Sequence, residues 1–195
     1  MTNIIVLFDT EFTAWDGSVK RNWSKKNEYK ELVQLAALKI KIGKKIKIID
    51  KFNIIVKPVK NPLLSQYFIK LTGITNNNVK NKGVSFKKCI REFYSFCKYN
   101  NKLVNIYSYG NDYVILKENM DYNKIPKKSK FRSWEKLFFD IKPIFNLYGI
   151  NTNKYTSGTV YKSLNIKPNN SMVHNAMWDT TSLFLTVKKL CENNI

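Results

Sequence analysis

Hydrophobic runs rich in β-branched residues dominate the first third of the chain, and short polar segments separate them. This pattern is typical of strands rather than helices. The predicted strands cover residues 3–8, 32–42 and 47–56, and the short polar connection Gly43-Lys44-Lys45 between the last two indicates a hairpin. We therefore expect the chain to open with an antiparallel meander.

Helical and strand patterns alternate along the remainder of the chain. Apolar residues between positions 85 and 99 recur at helical spacing and predict an amphipathic helix that faces the core. Further helices are predicted over residues 63–71, 112–120, 141–148, 156–164 and 180–191, strands over 103–107 and 137–140, and a basic loop over 124–130. The order predicts a mixed α/β sheet flanked by helices, and the absence of a linker predicts one domain over residues 1–195.

Two carboxylates, Asp9 and Glu11, follow the first apolar run directly. Because alternate residues of a strand point to one face, both side chains are expected on the same side of the sheet. Carboxylates held close together repel each other unless a positive charge lies between them, and a divalent cation is the simplest such charge. A buried strand that runs into an acidic turn would explain an isolated Asp-x-Glu equally well, so the assignment depends on residues further along the chain.

Asp112, His174 and Asp179 are the downstream candidates. Asp112 lies at a predicted strand-to-helix junction, where α/β sheets bind ligands, although Asp is also a preferred helix cap. His174 is the only histidine. On one continuous helix, His174 and Asp179 would point about 140° apart. Both can face one site if His174 lies on the loop before the last helix and Asp179 lies in its first turns.

The composition narrows the class of protein. A formal net charge of +20 indicates a polyanionic partner, although the richness in Lys, Asn and Ile is also typical of an AT-rich coding sequence, so charge alone is weak evidence. Cys89, Cys97 and Cys191 are odd in number and lack C-x-x-C spacing, which argues against disulfides and zinc. No apolar run approaches the roughly 18 residues of a membrane span, and the opening run is not a signal peptide. We expect a soluble, cytoplasmic protein with no membrane partner.

Three segments resemble the motifs of the DEDDh 3′–5′ exonucleases, the superfamily of RNase T and polymerase III epsilon. The segments are Phe8-Asp9-Thr10-Glu11-Phe12-Thr13, Tyr109-Gly110-Asn111-Asp112 and His174-Asn175-Ala176-Met177-Trp178-Asp179. Residues 52–58, 71–75 and 140–145 are similar to the histone-mRNA and small-RNA exonucleases and their bacterial sporulation-inhibitor relatives. The resemblance covers nearly the whole chain. It implies an RNase H-like five-stranded sheet that carries a site for two divalent metal ions, Mg²⁺ or Mn²⁺.

Carried over by position, the resemblance gives each site residue a role. Asp9, Glu11 and Asp179 would hold one ion, and Asp9 with Asp112 would hold the other. Hard oxygen ligands suit these ions, and two metals about 3.5–4 Å apart can stabilise the attacking and leaving oxygens of a phosphoryl displacement. His174 would be the general base that takes a proton from the attacking water, since an imidazole is available in its neutral form at physiological pH.

The implied substrate contacts include departures from the family pattern. The substrate-binding candidates are Phe12, Thr13, Trp15 and Tyr109. Trp15 follows Thr13-Ala14 where many members have Thr-Gly-Leu, and it either stacks on the terminal base, worth about 1–3 kcal/mol, or packs in the core. Core packing is the preferred interpretation for Phe12, Tyr109, Trp134 and Trp178. Asn175 stands where an Arg is frequent, which removes a possible phosphate contact. Residues 124–130 either guide the phosphate backbone or form a solvated loop.

The resulting hypothesis is an exonuclease that degrades single-stranded nucleic acid from a free 3′ end to nucleoside 5′-monophosphates. The subfamily resemblance favours RNA over DNA. The alternatives are a DNA exonuclease for proofreading or repair, a nucleic-acid-binding module without catalysis, and a hydrolase of small phosphoesters such as dinucleotides. The sequence identifies no protein partner, and a monomer and a homodimer both remain open.

Overall fold

The computed structural model describes residues 3–168 and 174–192, which form a mixed sheet with helices on both faces. The strands are β1 (Asn3–Phe12), β2 (Leu32–Ile42), β3 (Lys47–Ile55), β4 (Lys98–Tyr99), β5 (Lys102–Leu103), β6 (Asn105–Ser108) and β7 (Phe138–Asp140). The helices are α1 (Gln66–Thr72), α2 (Asn76–Lys82), α3 (Phe86–Phe96), α4 (Tyr113–Tyr122), α5 (Lys142–Leu147) and α6 (Ala176–Glu192). Short 3₁₀ turns cover Glu135–Leu137, Thr152–Lys154 and Val160–Leu164.

The five-stranded sheet has the order β3-β2-β1-β6-β7, with β1 at its centre. β1 pairs antiparallel with β2 along its whole length, but it pairs in parallel with β6 only from Ile5 to Leu7. Residues 8–12 of β1 therefore extend past the paired part of β6, and we call them the β1 overhang. Asp9 and Glu11 lie on this overhang, beside the place where the chain leaves β6.

The two faces of the sheet carry different cores. Val6 and Phe8 pack with α3 and α4, where the ring of Phe93 lies 5.6 Å from that of Phe8 and 5.7 Å from that of Trp134. Leu7 packs on the other face with α5 and α6. Because side chains alternate along a strand, Asp9 and Glu11 share the α6 face with Leu7.

The predicted mixed sheet, with three antiparallel strands first, is confirmed. Several boundaries differ. β1 continues to Phe12, so the two carboxylates lie within a strand rather than at its end. α6 begins at Ala176 rather than at residue 180, and residues 156–164 form turns and a 3₁₀ segment instead of the predicted helix. None of the helices in the described ranges is both long and apolar enough to cross a membrane.

Two elements were not predicted from the hydrophobic pattern. α2 has Val79 as its only apolar residue, so it shows no amphipathic stripe, and its local signal is the capping box of Thr75 and Asn78. The β4–β5 hairpin turns through Asn100 and Asn101, both at positive φ, which is the conformation that an Asn-Asn hairpin loop favours.

Candidate active site

Three carboxylates converge on the α6 face of the sheet. Asp9 and Glu11 come from the β1 overhang, and Asp179 comes from the first turn of α6. Each offers a ligand oxygen within 4.8 Å of the others. Their side chains are almost removed from solvent, with exposures of 6%, 9% and 4% respectively. The structure therefore brings together three of the five predicted site residues as one buried acidic cluster.

Burial raises the pKa of every carboxyl group in the cluster, and repulsion from neighbouring carboxylates raises those of Asp9 and Glu11 further. Burial followed by the charges of Asp179 and Asp112 raises the pKa of Glu11 to about 8. Burial raises the pKa of Asp179 to about 6. The pKa of Asp9 is raised well above its usual range by burial, then by Asp112, Asp179 and Glu11. Such a cluster is stable in its ionised form only beside a compensating cation.

Asp112 lies between β6 and α4, and its side chain makes no capping hydrogen bond to the helix. Burial, followed by the charges of Asp179 and Asp140, raises its pKa to about 7, while Lys142 and a hydrogen bond from the backbone N–H of Thr10 lower it. Asp112 is thus electrostatically coupled to the cluster, and it contacts the backbone of the β1 overhang directly.

His174 lies on the loop immediately before α6, at a positive φ of 65°. It is partly buried, and burial lowers the pKa of its imidazole below the usual 6.5. The neutral ring, which can accept a proton, is therefore the dominant form at pH 7. The placement of His174 before the helix and Asp179 in its first turn is the one that lets both face the cluster.

The predicted substrate contacts fall into different environments. Trp15 is partly exposed, and its backbone N–H donates to Ser18 Oγ at 3.1 Å. The ring of Phe12 lies 5.4 Å from that of Trp23. The hydroxyl of Thr13 donates to the Tyr29 carbonyl and accepts from the Glu31 N–H. Of this set, Phe12 and Trp15 are partly exposed, whereas Thr13 is buried.

The other aromatic candidates are held by protein contacts. The Tyr109 hydroxyl donates to the carbonyl of Thr152 at 2.7 Å and to that of Tyr155 at 3.2 Å. Trp134 is 1% exposed in the core. The indole N–H of Trp178 donates to the carbonyl of a neighbouring loop residue at 3.0 Å. Tyr109 and Trp178 are therefore held by protein contacts near the site, whereas Trp134 belongs to the core on the opposite face of the sheet.

Sequence reasoning missed three residues that contact the site. The Ser157 hydroxyl donates to Asp179 Oδ2 at 3.0 Å, and Gly158 packs against the same carboxylate. Gln34 lies opposite Glu11 in the β1–β2 ladder, and its Oε1 accepts a hydrogen bond from Ala176 N. For Ser157 and Gly158, the glycine itself was a local signal, because a glycine weakens the prediction of a helix over residues 156–164. Gln34 had no local signal.

The donor set fits a hard divalent cation. All the converging side chains are carboxylates, whose oxygens are the ligands that Mg²⁺ and Mn²⁺ accept. Asp179 Oδ1 is also buried without a hydrogen-bond partner. Within the described residues, Asp9, Glu11 and Asp179 are the set that can hold an ion together.

A mixed sheet of this order, an acidic cluster on its central strand and a histidine before the last helix define a nuclease of the RNase H-like class. The family model described as Exonuclease, the RNase T family, matches residues 6–184, and the chain belongs to this family. The predicted membership of the DEDDh superfamily is thereby confirmed. None of the curated protein sequences matches the chain.

Solved structures confirm the fold. The nuclease domain of 3′hExo, a DEDDh family member bound to rAMP, superposes with a TM-score of 0.79 at 18% identity, covering 98% of this chain and 92% of that one. Cell-death related nuclease 4 gives a TM-score of 0.71 at 18% identity, over 98% of this chain and 64% of that one. The E. coli ExoI–ssDNA complex gives 0.67 at 15% identity, and the chain spans 41% of its length.

Proposed function

We propose that this protein is a metal-dependent 3′–5′ exonuclease that hydrolyses single-stranded nucleic acid, with RNA preferred, to nucleoside 5′-monophosphates. The observation that carries the proposal is the buried cluster of Asp9, Glu11 and Asp179. Three mutually repelling carboxylates destabilise a fold unless they bind something positive, so the cluster is best explained by function.

Asp9, Glu11 and Asp179 would hold one divalent ion, and Asp9 with Asp112 would hold a second. When bound, these ions supply positive charge that stabilises the attacking and leaving oxygens of phosphoryl transfer. The raised pKa values of Glu11, Asp112 and Asp179 show that their ionised forms are disfavoured in the metal-free site. A nearby cation would stabilise these ionised forms, which accords with the proposed role. The choice between Mg²⁺ and Mn²⁺ is part of the test below.

The chain's own residues supply the proton transfer and the substrate contacts. The neutral imidazole of His174 accepts a proton from the water that attacks the terminal phosphorus. The bond from phosphorus to the 3′ oxygen of the preceding nucleotide breaks, and this oxygen takes up a proton from solvent, which leaves a new 3′ hydroxyl and a 5′-monophosphate. Trp15, which is partly exposed just beyond the β1 overhang, would stack on the terminal base.

Two observations support the class of substrate. The net charge of +20 attracts a polyanion from solution whatever its evolutionary origin. The 3′hExo nuclease domain, which superposes better than ExoI, was solved with a ribonucleotide bound, whereas the ExoI complex contains single-stranded DNA. This comparison, together with the subfamily resemblance of residues 71–75 and 140–145, favours RNA.

The test uses matched 5′-labelled single-stranded RNA and DNA, incubated with Mg²⁺, Mn²⁺ or EDTA. We expect a descending ladder that requires metal and is faster on RNA, and a loss of about 10²–10⁴-fold in the His174→Ala variant. Asp9→Ala should abolish the ladder while strand binding stays measurable.

Three contrary results would each select an alternative. Tight strand binding without a ladder under either metal would identify a binding module. Faster degradation of DNA would identify a DNA exonuclease. Faster turnover of dinucleotides than of strands of about twenty nucleotides would identify a small-phosphoester hydrolase, because a basic strand-binding surface should favour the longer substrate.

A further inference from the structure

Residues 155–159, which we call the Ser157 loop, lie directly against the acidic cluster. The Ser157 hydroxyl donates a hydrogen bond to Asp179 Oδ2 at 3.0 Å. Ser157 is therefore the neutral donor that reaches into the cluster from outside the five predicted site residues.

Gly158 brings the backbone of the Ser157 loop into contact with Asp179. A Cβ atom at this position would lie 2.3 Å from Asp179 Oδ1 and 2.9 Å from its Cγ. Real Cβ atoms do not approach so closely, so any residue other than glycine would displace the Asp179 carboxylate. The Trp178 indole N–H donates to the Gly158 carbonyl at 3.0 Å. Two adjacent residues of α6 thus hold two adjacent residues of the loop.

The other end of the Ser157 loop is fixed by the strand that leads to Asp112. The Tyr109 hydroxyl donates to the carbonyl of Thr152, which precedes the loop, and to that of Tyr155, its first residue. Within the loop, the Thr156 N–H donates to Thr159 Oγ1 at 2.9 Å. The loop is consequently held by Tyr109, directly after β6, at its start and by α6 at Ser157 and Gly158.

We propose that Ser157 is a positioning residue of the metal site, which orients the Asp179 carboxylate toward the position of the cation. Gly158 supplies the space that this orientation needs. Hydrogen bonds from outside the ligand set fix the rotamer of a ligand carboxylate, and their removal typically lowers metal affinity about 10–100-fold. The proposal rests on the proposed function, because it requires that the cluster binds a divalent ion.

The test is calorimetric titration of the full chain with Mn²⁺, comparing wild type with Ser157→Ala and Ser157→Thr. We expect Ser157→Ala to bind Mn²⁺ about 10–100-fold more weakly, while a cooperative melting transition in EDTA shows that the variant is folded. Ser157→Thr keeps the hydroxyl and should bind more nearly like wild type. Ser163→Ala is the matched control, because the Ser163 hydroxyl donates to the Val160 carbonyl, away from the cluster.

The outcomes separate this inference from the proposed function. Wild-type affinity in a folded Ser157→Ala variant would overturn the positioning role while leaving the nuclease proposal intact. Failure of wild type to bind Mn²⁺ or Mg²⁺ would overturn both. If Ser157→Ala does not fold, the comparison of Ser157→Thr with Gly158→Ala decides. Gly158→Ala, which displaces Asp179, should lose Mn²⁺ binding while Ser157→Thr keeps it, and equal affinities would refute the proposal.

Discussion

Gln34 accepts a hydrogen bond from the backbone N–H of Ala176 at 3.1 Å and thereby joins β2 to the first turn of α6. Its amide nitrogen donates to Asn53 Oδ1 at 2.9 Å, so both ends of the buried side chain are engaged. Gln34 also lies opposite Glu11 in the ladder. One side chain therefore fixes the distance between the strand that carries two carboxylates and the helix that carries the third.

Replacing Gln34 by Leu should lower both stability and activity. The buried N–H of Ala176 would lose its acceptor, which costs about 1–3 kcal/mol. Urea denaturation measures the stability change, and the RNA ladder measures the turnover. Asn53→Ala is the control, since it removes only the exposed partner of Gln34 and should cost about 0.5–1.5 kcal/mol. A Gln34→Leu variant as stable and active as wild type would show that α6 is positioned by its apolar face alone.

The stability of the metal-free protein should fall as the pH rises. The pKa of Glu11 is raised from 4.5 to about 8, so the folded state binds its proton more tightly than the unfolded state does. The resulting stabilisation is complete below pH 4.5 and is lost as the pH rises through about 8. In EDTA, the melting temperature of wild type should drop more steeply between about pH 5 and about pH 8 than that of Glu11→Gln, which has no charge to lose.

Divalent metal should reverse this loss. A ligand that binds only the folded state raises its stability by mass action, so Mg²⁺ or Mn²⁺ at about pH 8 should raise the melting temperature of wild type much more than that of Glu11→Gln. Scanning calorimetry with and without metal provides the measurement. Parallel pH curves for the two proteins would mean that Glu11 does not carry the shifted titration.

Loss of Glu31 should unfold the connection that follows β3. Its carboxylate is 1% exposed and accepts hydrogen bonds from three consecutive backbone N–H groups, those of Val59 at 2.7 Å, Lys60 at 2.8 Å and Asn61. Hydrogen bonds to a charged group contribute about 1.5–3 kcal/mol each, so Glu31→Ala should cost about 3 kcal/mol or more in urea denaturation.

The matched control for Glu31 is Glu135→Ala. Glu135 pairs with Lys117 at 2.8 Å on an exposed surface, where such pairs contribute about 0.2–1 kcal/mol. A similar loss in both variants would indicate that the three N–H groups find other acceptors when Glu31 is removed. A difference of several fold would identify Glu31 as the anchor of residues 59–61.

Variants of Trp15 and Trp134 should distinguish stacking on the substrate from packing in the core. In an Asp9→Ala background, Trp15→Ala should weaken binding of single-stranded RNA about 5- to 150-fold, which corresponds to the loss of one stacked base, and Trp15→Phe should keep most of the affinity. Trp134→Phe should lower the melting temperature and leave RNA affinity unchanged, because Trp134 lies in the core. Fluorescence anisotropy gives the affinities, and unchanged binding in Trp15→Ala would assign Trp15 to packing.

Local sequence patterns predicted most of the fold and the ionisable residues of the candidate site. The apolar run of β1 predicts a strand, and the two-residue spacing of Asp9 and Glu11 places both side chains on one face of it. This prediction requires no information about the rest of the chain. Asp112, His174 and Asp179 were found because they lie at the ends of predicted elements and match motifs in order. Such residues can be predicted from the sequence because each belongs to a motif of a few neighbouring positions.

The contacts that hold these residues in place were not accessible from local patterns. Gln34 meets Ala176 and Ser157 meets Asp179 only after the chain has folded. Residues 156–164 carry helical apolar spacing, but the close packing of Gly158 on Asp179 and its hydrogen bond from Trp178 hold the loop outside a helix. Tertiary contact overrode local propensity there, as it does wherever a short segment gains more from a distant partner than from its own turn.

The β1 overhang lacks a neighbouring strand where β6 ends, and there the backbone N–H of Thr10 faces Asp112, whose pKa it lowers. A site carboxylate therefore lies at the unpaired edge of the central strand. A cation that binds Asp112 would withdraw electron density from the carboxylate that the Thr10 N–H faces. In an NMR spectrum, the amide signal of Thr10 would serve as an intrinsic reporter of occupancy, and it would respond without any label attached to the nucleic acid.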